Sequence, residues 1–197
     1  EVFLYGDPER LPPDARVNYE RWLGMGEVRP LSDEALDGYS EDHPRTRIAV
    51  DALFGTGLVR PFLDLGRVQM ELNSWQAASR WDKAFPQVVA VDLPSGLCAD
   101  SGRFTGSDWE NPFDHAPMAN LTVTFHRMKN GHVLAEGPAA CGRVVVKEIG
   151  LTSSRFDPAA GIPAWLIADS KRLSRGKDFG HKYSHGHALI LSGPSGR

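Results

Sequence analysis

Two stretches of this sequence share one pattern: IAVDALFGTG, residues 48–57, and VVAVDLPSG, residues 88–96. Each is an apolar, β-branched run that delivers an aspartate and then breaks into small residues. Both runs read as buried strands, and Gln87–Leu93 (QVVAVDL) as one buried on both faces, as in a parallel sheet. Parallel neighbours need a crossover of a dozen residues or more. The interval between Asp51 and Asp92 accommodates one turn, one helix and a return strand. The two strands are therefore expected to be neighbours, with both aspartates at the carboxyl edge, where open α/β sheets bind ligands.

The rest of the chain follows the same rhythm. EVFLYGD, Glu1 to Asp7, reads as a strand, and Pro12-Pro13-Asp14 opens a helix. Ala15, Tyr19, Trp22 and Leu23 share one face of that helix, and Gly24 and Gly26 end it. Val28 to Leu31 reads as a short strand and Asp33 to Leu36 as a short helix. Leu65, Val68, Leu72 and Trp75 recur at helical spacing, predicting a helix over 62–81. Alternation of strands and helices predicts an α/β domain with a mostly parallel sheet. Further strands are predicted at Leu121–Phe125 (LTVTF), His132–Ala135, Gly142–Ile149 and His187–Leu191. The last runs into Ser192-Gly193-Pro194-Ser195-Gly196 as the first turn of a second unit. With no methionine in front and a lone strand behind, the chain reads as a fragment. Its expected parts are a domain over 1–150, a linker over 151–162 and the opening of a second domain over 163–197.

Composition excludes several classes. The 197 residues are 41% hydrophobic and 24% charged, with a net charge of -3 and an isoelectric point near 6.2. No basic cluster is present, which argues against a nucleic-acid partner. No apolar run reaches the ~20 residues of a membrane span. Cys98 and Cys141 stand singly, so neither a disulfide framework nor a CxxC site is encoded. Two reduced thiols and no leader pattern predict a cytoplasmic protein.

The two aspartates admit two readings. At roughly 6 Å and an effective dielectric near 20, two carboxylates repel by about 2.8 kcal/mol, or about two pKa units. One is then protonated, or a cation or hydrogen-bond donors stand between them. Ser95, three residues past Asp92, adds a hydroxyl. Two carboxylates, a hydroxyl and nearby carbonyls make an all-oxygen environment that suits a hard cation. Alternatively, each aspartate caps the turn that follows it. Gly55-Thr56-Gly57 likewise reads as a turn needing positive φ, or as amides that meet an anion at a helix starting near Pro61. It is neither a GxGxxG fingerprint nor a Walker loop.

Taken together the motifs are more specific. Asp51-Ala52-Leu53-Phe54-Gly55-Thr56-Gly57-Leu58-Val59-Arg60-Pro61, then Val91-Asp92-Leu93-Pro94-Ser95-Gly96 with Gly102, then Thr122-Val123-Thr124-Phe125 with Lys129 and Gly131, closely resemble the NAD(P)H-hydrate epimerase family, the YjeF N-terminal domain. The resemblance covers about residues 1–150 and implies a Rossmann-like three-layer fold. The tail, His181-Lys182-Tyr183 through Gly186-His187 to Leu189-Ile190-Leu191-Ser192-Gly193-Pro194, resembles the start of the ADP-dependent NAD(P)H-hydrate dehydratase, a ribokinase-like domain. The implied function is nicotinamide-nucleotide repair. An epimerase interconverts the R and S hydrates NADHX and NADPHX, and a dehydratase uses ADP or ATP with Mg2+ to restore the S form. Carried over residue by residue, Asp51 and Ser95 match potassium (K+) ligands. Gly55, Thr56, Gly57, Leu58, Val59, Arg60 and Pro61 match the loop on the substrate's phosphates and sugar. Asp92 matches a substrate-contacting carboxylate and is the expected acid/base group. The family's Gly-Asn-Asn-Gly-Gly-Asp-Gly loop does not occur in the sequence, so this chain alone is expected to be inactive.

Other features carry less. His185 and His187 are spaced for a metal pair on a strand, but no acidic residue or cysteine joins them, and packing is the expected role. His126, Arg127, Lys129, Asn130 and His132 are expected to form a solvated loop. Trp109, Phe113 and Trp165 suggest packing and no stacking platform. The competing class is a non-catalytic binding module on the same fold, and retention of both aspartates and Ser95 counts against it. A generic methyltransferase or dehydrogenase would need a glycine fingerprint that is missing. Oligomeric state is left open, with a homo-oligomer among the options.

Overall fold

A computed structural model describes residues 1–58, 61, 63–106 and 117–151. The predicted strand His187–Leu191, the linker beyond Leu151, the second-domain opening, Val59, Arg60, Trp109, Phe113 and Trp165 lie outside the described residues, as do His181, His185 and His187. The chain divides into a unit over Glu1–Ser154 and a second over Arg155–Arg197.

In the first unit the order is β1 (Val2–Leu4), α1 (Pro13–Leu23), β2 (Val28–Pro30), α2 (Tyr39–Asp42), β3 (Ile48–Asp51), α3 (Gly66–Ala78), β4 (Gln87–Val91), β5 (Leu121–Phe125), α4 (Gly137–Ala140) and β6 (Arg143–Lys147). Every described strand pair is parallel. β3, β4, β5 and β6 lie side by side in chain order, and β1 pairs with β2 in a separate ribbon. Ala49 aligns with Val88 and Asp51 with Ala90, so the two aspartate strands are neighbours, as their spacing predicts.

One sheet face is packed and the other is half open. Val88, Ala90, Thr122 and Thr124 are fully buried, and Val68, Leu72 and Trp75 of α3 form a core with Val88. On the opposite face Ile48 and Val50 are about 60% exposed (61% and 62%). The buried strand expected at 48–51 is therefore open on one face within the described residues. A cavity of about 400 Å³ lies between β1 and β3, lined by Phe3, Leu36, Ala49, Leu72 and Trp75 among others, with Asp51 also in its wall.

Three element predictions need correction. His132–Ala135 is no strand: Asn130–His132 is a 3-10 turn that leads into α4. A close approach forces this, because Gly137 packs where a Cβ would stand 1.7 Å from the Gly131 carbonyl oxygen. Asp33–Leu36 is a run of turns, and the helix falls instead at Tyr39–Asp42, after Gly38 at φ +65°. The helix predicted over 62–81 is real but shorter. A 3-10 turn at Leu63–Leu65 precedes α3. α1 forms where predicted, yet none of its residues is buried, so its apolar face is uncovered among the described residues.

Candidate functional site

The ends of β3, β4 and β5 place two carboxylates at one sheet edge in opposite environments. β3 terminates on Asp51, which is only 2% exposed. The loop after β4 folds back so that Ser95 reaches it. The Ser95 N–H donates to Asp51 Oδ2 at 2.8 Å, and the Ser95 hydroxyl donates to Oδ1 at 2.5 Å. The Leu53 N–H adds a longer bond to Oδ1 at 3.3 Å. Ser95 is itself fully buried, and its Oγ accepts from the Phe54 N–H at 3.0 Å. Burial pushes the Asp51 carboxyl above its ordinary value, against the pull of the Ser95 hydroxyl, the Ser95 N–H and the Leu53 N–H.

Asp51 forms no salt bridge within the described residues. A buried carboxylate without a cation is costly unless its charge is compensated. The oxygens gathered around it are the carboxylate, Ser95 Oγ and the Phe54 carbonyl, which lies 3.5 Å from that hydroxyl. No group of three or more His, Cys, Asp or Glu side chains able to hold a metal occurs among the described residues. Oxygen donors of this kind suit a hard cation and not zinc or copper.

Asp92 follows β4 directly and adopts φ +69°, a left-handed conformation uncommon for a residue with a side chain. Its N–H continues the ladder to the Val123 carbonyl at 2.8 Å. Its Oδ1 accepts from the Thr124 hydroxyl at 2.7 Å and from Lys129 Nζ, which also forms a salt bridge there, and the Phe125 N–H adds a bond to the carboxylate. Burial alone would raise this carboxyl. The bonds from Lys129 and Thr124 and the Lys129 charge outweigh it and hold Asp92 below the ordinary carboxylate range. The side chain is 20% exposed, so it is reachable where Asp51 is not.

Lys129 and His132, expected in a solvated loop, belong to this cluster. Lys129 Nζ also donates to Thr124 Oγ1 at 2.8 Å and to the Phe125 carbonyl at 3.2 Å. His132, 2% exposed, bonds the Asp92 carbonyl through Nε2 at 2.8 Å and takes the Lys129 N–H on Nδ1 at 3.0 Å. A carbonyl only accepts and an N–H only donates, so the ring carries its proton on Nε2 and is neutral. Burial, the main cause, lowers the His132 pKa, consistent with that form. The signal for Lys129 was present in the sequence: it follows the end of β5, on the edge that carries Asp92.

The glycine loop departs from expectation. Neither Gly55 nor Gly57 has positive φ, and a Cβ on either would meet nothing within 4 Å. The turn, closed by Leu58 N–H to the Gly55 carbonyl at 3.3 Å, does not need glycine for its backbone. The two glycines leave open space in an exposed turn. The loop also does not open α3, whose N-terminal Arg67 N–H is already taken by Asp33 Oδ1 at 2.7 Å. Pro61 packs against Gly106, where a Cβ would sit 2.5 Å from the proline ring. Asp51, Ser95 and the Gly55–Leu58 turn are therefore brought together, and Asp92 stands on the adjacent strand end with its own partners.

Residues 1–131 match the family described as YjeF-related protein N-terminus. An NAD(P)H-hydrate epimerase of Rhodobacter capsulatus is 42% identical over 152 residues, covering 76% of this chain and 60% of the relative. A protein of the same name from Roseobacter litoralis is 35% identical over 160 residues, 76% of this chain and 64% of the relative. The bifunctional NAD(P)H-hydrate repair enzyme Nnr of Methanothermobacter thermautotrophicus is 35% identical over 202 residues, 98% of this chain and 33% of the relative. The chain thus spans between a third and two thirds of the length of these relatives. On the extent of the match, this chain belongs to the family of YjeF-related protein N-termini.

Proposed function

We propose that this chain contributes the epimerase site of a nicotinamide-nucleotide repair protein that acts on the hydrates of NADH and NADPH. The observation that carries the reading is the pair of aspartates on neighbouring strand ends. One is buried in an oxygen cage, and the other is ionised, reachable and bonded to a lysine. The names of the relatives supply the substrate class. In such a hydrate the C6 hydroxyl adjoins the ring nitrogen, so its departure leaves a stabilised iminium that water can re-enter from either face. That reaction needs a proton-handling group within hydrogen-bond reach, and Asp92 is assigned this role. The amides of Gly55, Thr56 and Gly57, with Leu58, Val59, Arg60 and Pro61, are assigned to the phosphates and sugar.

Asp51 and Ser95, with the Phe54 carbonyl, would hold a potassium ion, which would compensate the buried charge and fix the two loops. Around it, the residues of the chain do the remaining work. Ser95 ties the β4 loop to β3 through Asp51, and Thr124 aims Asp92. Several relatives named bifunctional align over nearly the whole chain, and others over about three quarters of it. That supports reading 163–197 as the opening of the dehydratase domain, which would use ADP or ATP and Mg2+. No helix among the described residues is long and apolar enough to cross a membrane. A cytoplasmic location is part of the proposal.

The test is to incubate purified R-NADPHX with the full-length natural protein that carries this chain and to follow the S form by chromatography. Interconversion far above the spontaneous rate is expected. No acceleration, together with no binding of either epimer, would remove the reading.

A further inference from the structure

We propose that Lys129 is the proton donor of the site and that Asp92 is its base, so that the pair carries one mobile proton between them. This inference rests on the epimerase reading above. It starts from what an ionised carboxylate lacks. With Lys129 and Thr124 both donating to Oδ1, Asp92 is an acceptor and has no proton to give to a departing hydroxyl.

The neighbouring groups narrow the source of that proton. His132 is only 2% exposed, and its single N–H is committed to the Asp92 carbonyl. The Thr124 hydroxyl is committed to Oδ1 and is a very weak acid. The Lys129 side chain is 23% exposed beside Asp92 at 20%, so both meet solvent on the same edge. Its ammonium makes three bonds, and the longest, 3.2 Å to the Phe125 carbonyl, is the one a substrate hydroxyl can replace. The remaining two, to Asp92 and Thr124, keep Nζ in place while that exchange occurs.

The pair is rigidly mounted. The backbone of Lys129 is bonded to His132 Nδ1, and His132 Nε2 is bonded to the left-handed Asp92. The same turn is clamped from below, with the Gly131 N–H donating to the Ala99 carbonyl at 2.5 Å. A Cβ on Gly131 would stand 2.3 Å from the Cys98 carbonyl oxygen.

The step balances without any co-reactant but water. The C6–O bond breaks and its electron pair leaves on oxygen. A proton from Nζ makes that oxygen water, while the ring-nitrogen lone pair closes the iminium. On return, water forms the new C6–O bond on the opposite face. Its surplus proton passes to the Asp92 carboxylate and along the Oδ1–Nζ bond to the neutral amine.

The deciding experiment uses two substitutions in the full-length protein, Lys129→Met and Lys129→Arg. The guanidinium keeps the positive charge beside Asp92 but does not give up its proton. A proton donor predicts that both variants lose about 100-fold or more in kcat, with KM little changed and thermal unfolding of the arginine variant close to wild type. A kcat for Lys129→Arg near wild type would show that charge alone suffices and would overturn the proposal. An inactive wild type would instead refute the epimerase reading, and this inference with it. If Lys129→Met fails to fold, the arginine variant still decides.

Discussion

Replacing Ser95 by alanine is the sharpest test of how Asp51 is held. The hydroxyl donates to Asp51 Oδ1 at 2.5 Å and accepts from the Phe54 N–H at 3.0 Å, all within a site where Ser95 is fully buried. A hydrogen bond to a charged group contributes about 1.5–3 kcal/mol, and a buried donor deprived of its acceptor costs about 1–3 kcal/mol. Phe54 is half-buried, so its share lies at the low end. Asp51 keeps the Ser95 and Leu53 N–H groups, which limits the damage. The sum is about 2–4 kcal/mol, or roughly 5–15 °C in Tm for a domain of this size. Urea unfolding at neutral pH, followed by circular dichroism, measures it. Ser101→Ala is the control, because Ser101 is exposed and its hydroxyl bonds only at the surface, to the Arg103 N–H at 3.3 Å and to the half-buried Cys98 thiol. A loss below about 0.5 kcal/mol, the range of an ordinary surface substitution, would refute the picture of Ser95 as the link between β3 and the β4 loop.

Other outcomes follow from the same geometry. Asp92→Asn in the full-length protein removes the base and leaves the shape, so turnover is lost while substrate still binds by calorimetry; near-normal turnover would take Asp92 out of the proton role. Because Asp92 is held low when folded, its contribution to stability is present above the unfolded value of about 3.9 and is lost as pH falls through the folded value. The stability gap between wild type and Asp92→Asn therefore shrinks in acid. Gly137→Ala drives a Cβ to 1.7 Å from the Gly131 carbonyl and should cost about 3 kcal/mol or more, read as loss of cooperative unfolding. Cys98, half-buried with its thiol lowered by the Ser101 hydroxyl, reacts with iodoacetamide well before Cys141, which is buried with its pKa pushed up to about 12; mass spectrometry of the alkylated peptides gives the order.

The parts of this fold that were legible in the sequence are those fixed by local pattern. The strands that end on Asp51 and Asp92 announce themselves by apolar runs, and the length of the interval between them allows them to be neighbours. Ser95 was accessible because it lies three residues past Asp92 on the same loop. What was not legible depends on close approach between distant segments. Nothing local tells that Gly131 and Gly137 must touch, so the stretch after Asn130 passed for a strand. Lys129 and His132 looked like solvated polar residues because their partner, Asp92, is 37 and 40 positions away. The Gly-Thr-Gly turn misled in the opposite direction. Its glycines suggested positive φ, whereas their place is to leave space.

The division of labour between the two aspartates is tested most directly by a carboxyl-carbon NMR titration of both in the purified chain, over the range where circular dichroism shows it folded. The account predicts opposite displacements from the ordinary aspartate value of about 3.9. Asp51 takes up its proton at higher pH, driven by burial, and Asp92 keeps its charge to lower pH because Lys129 and Thr124 hold it. A shared midpoint, or Asp92 protonating before Asp51, would contradict the account.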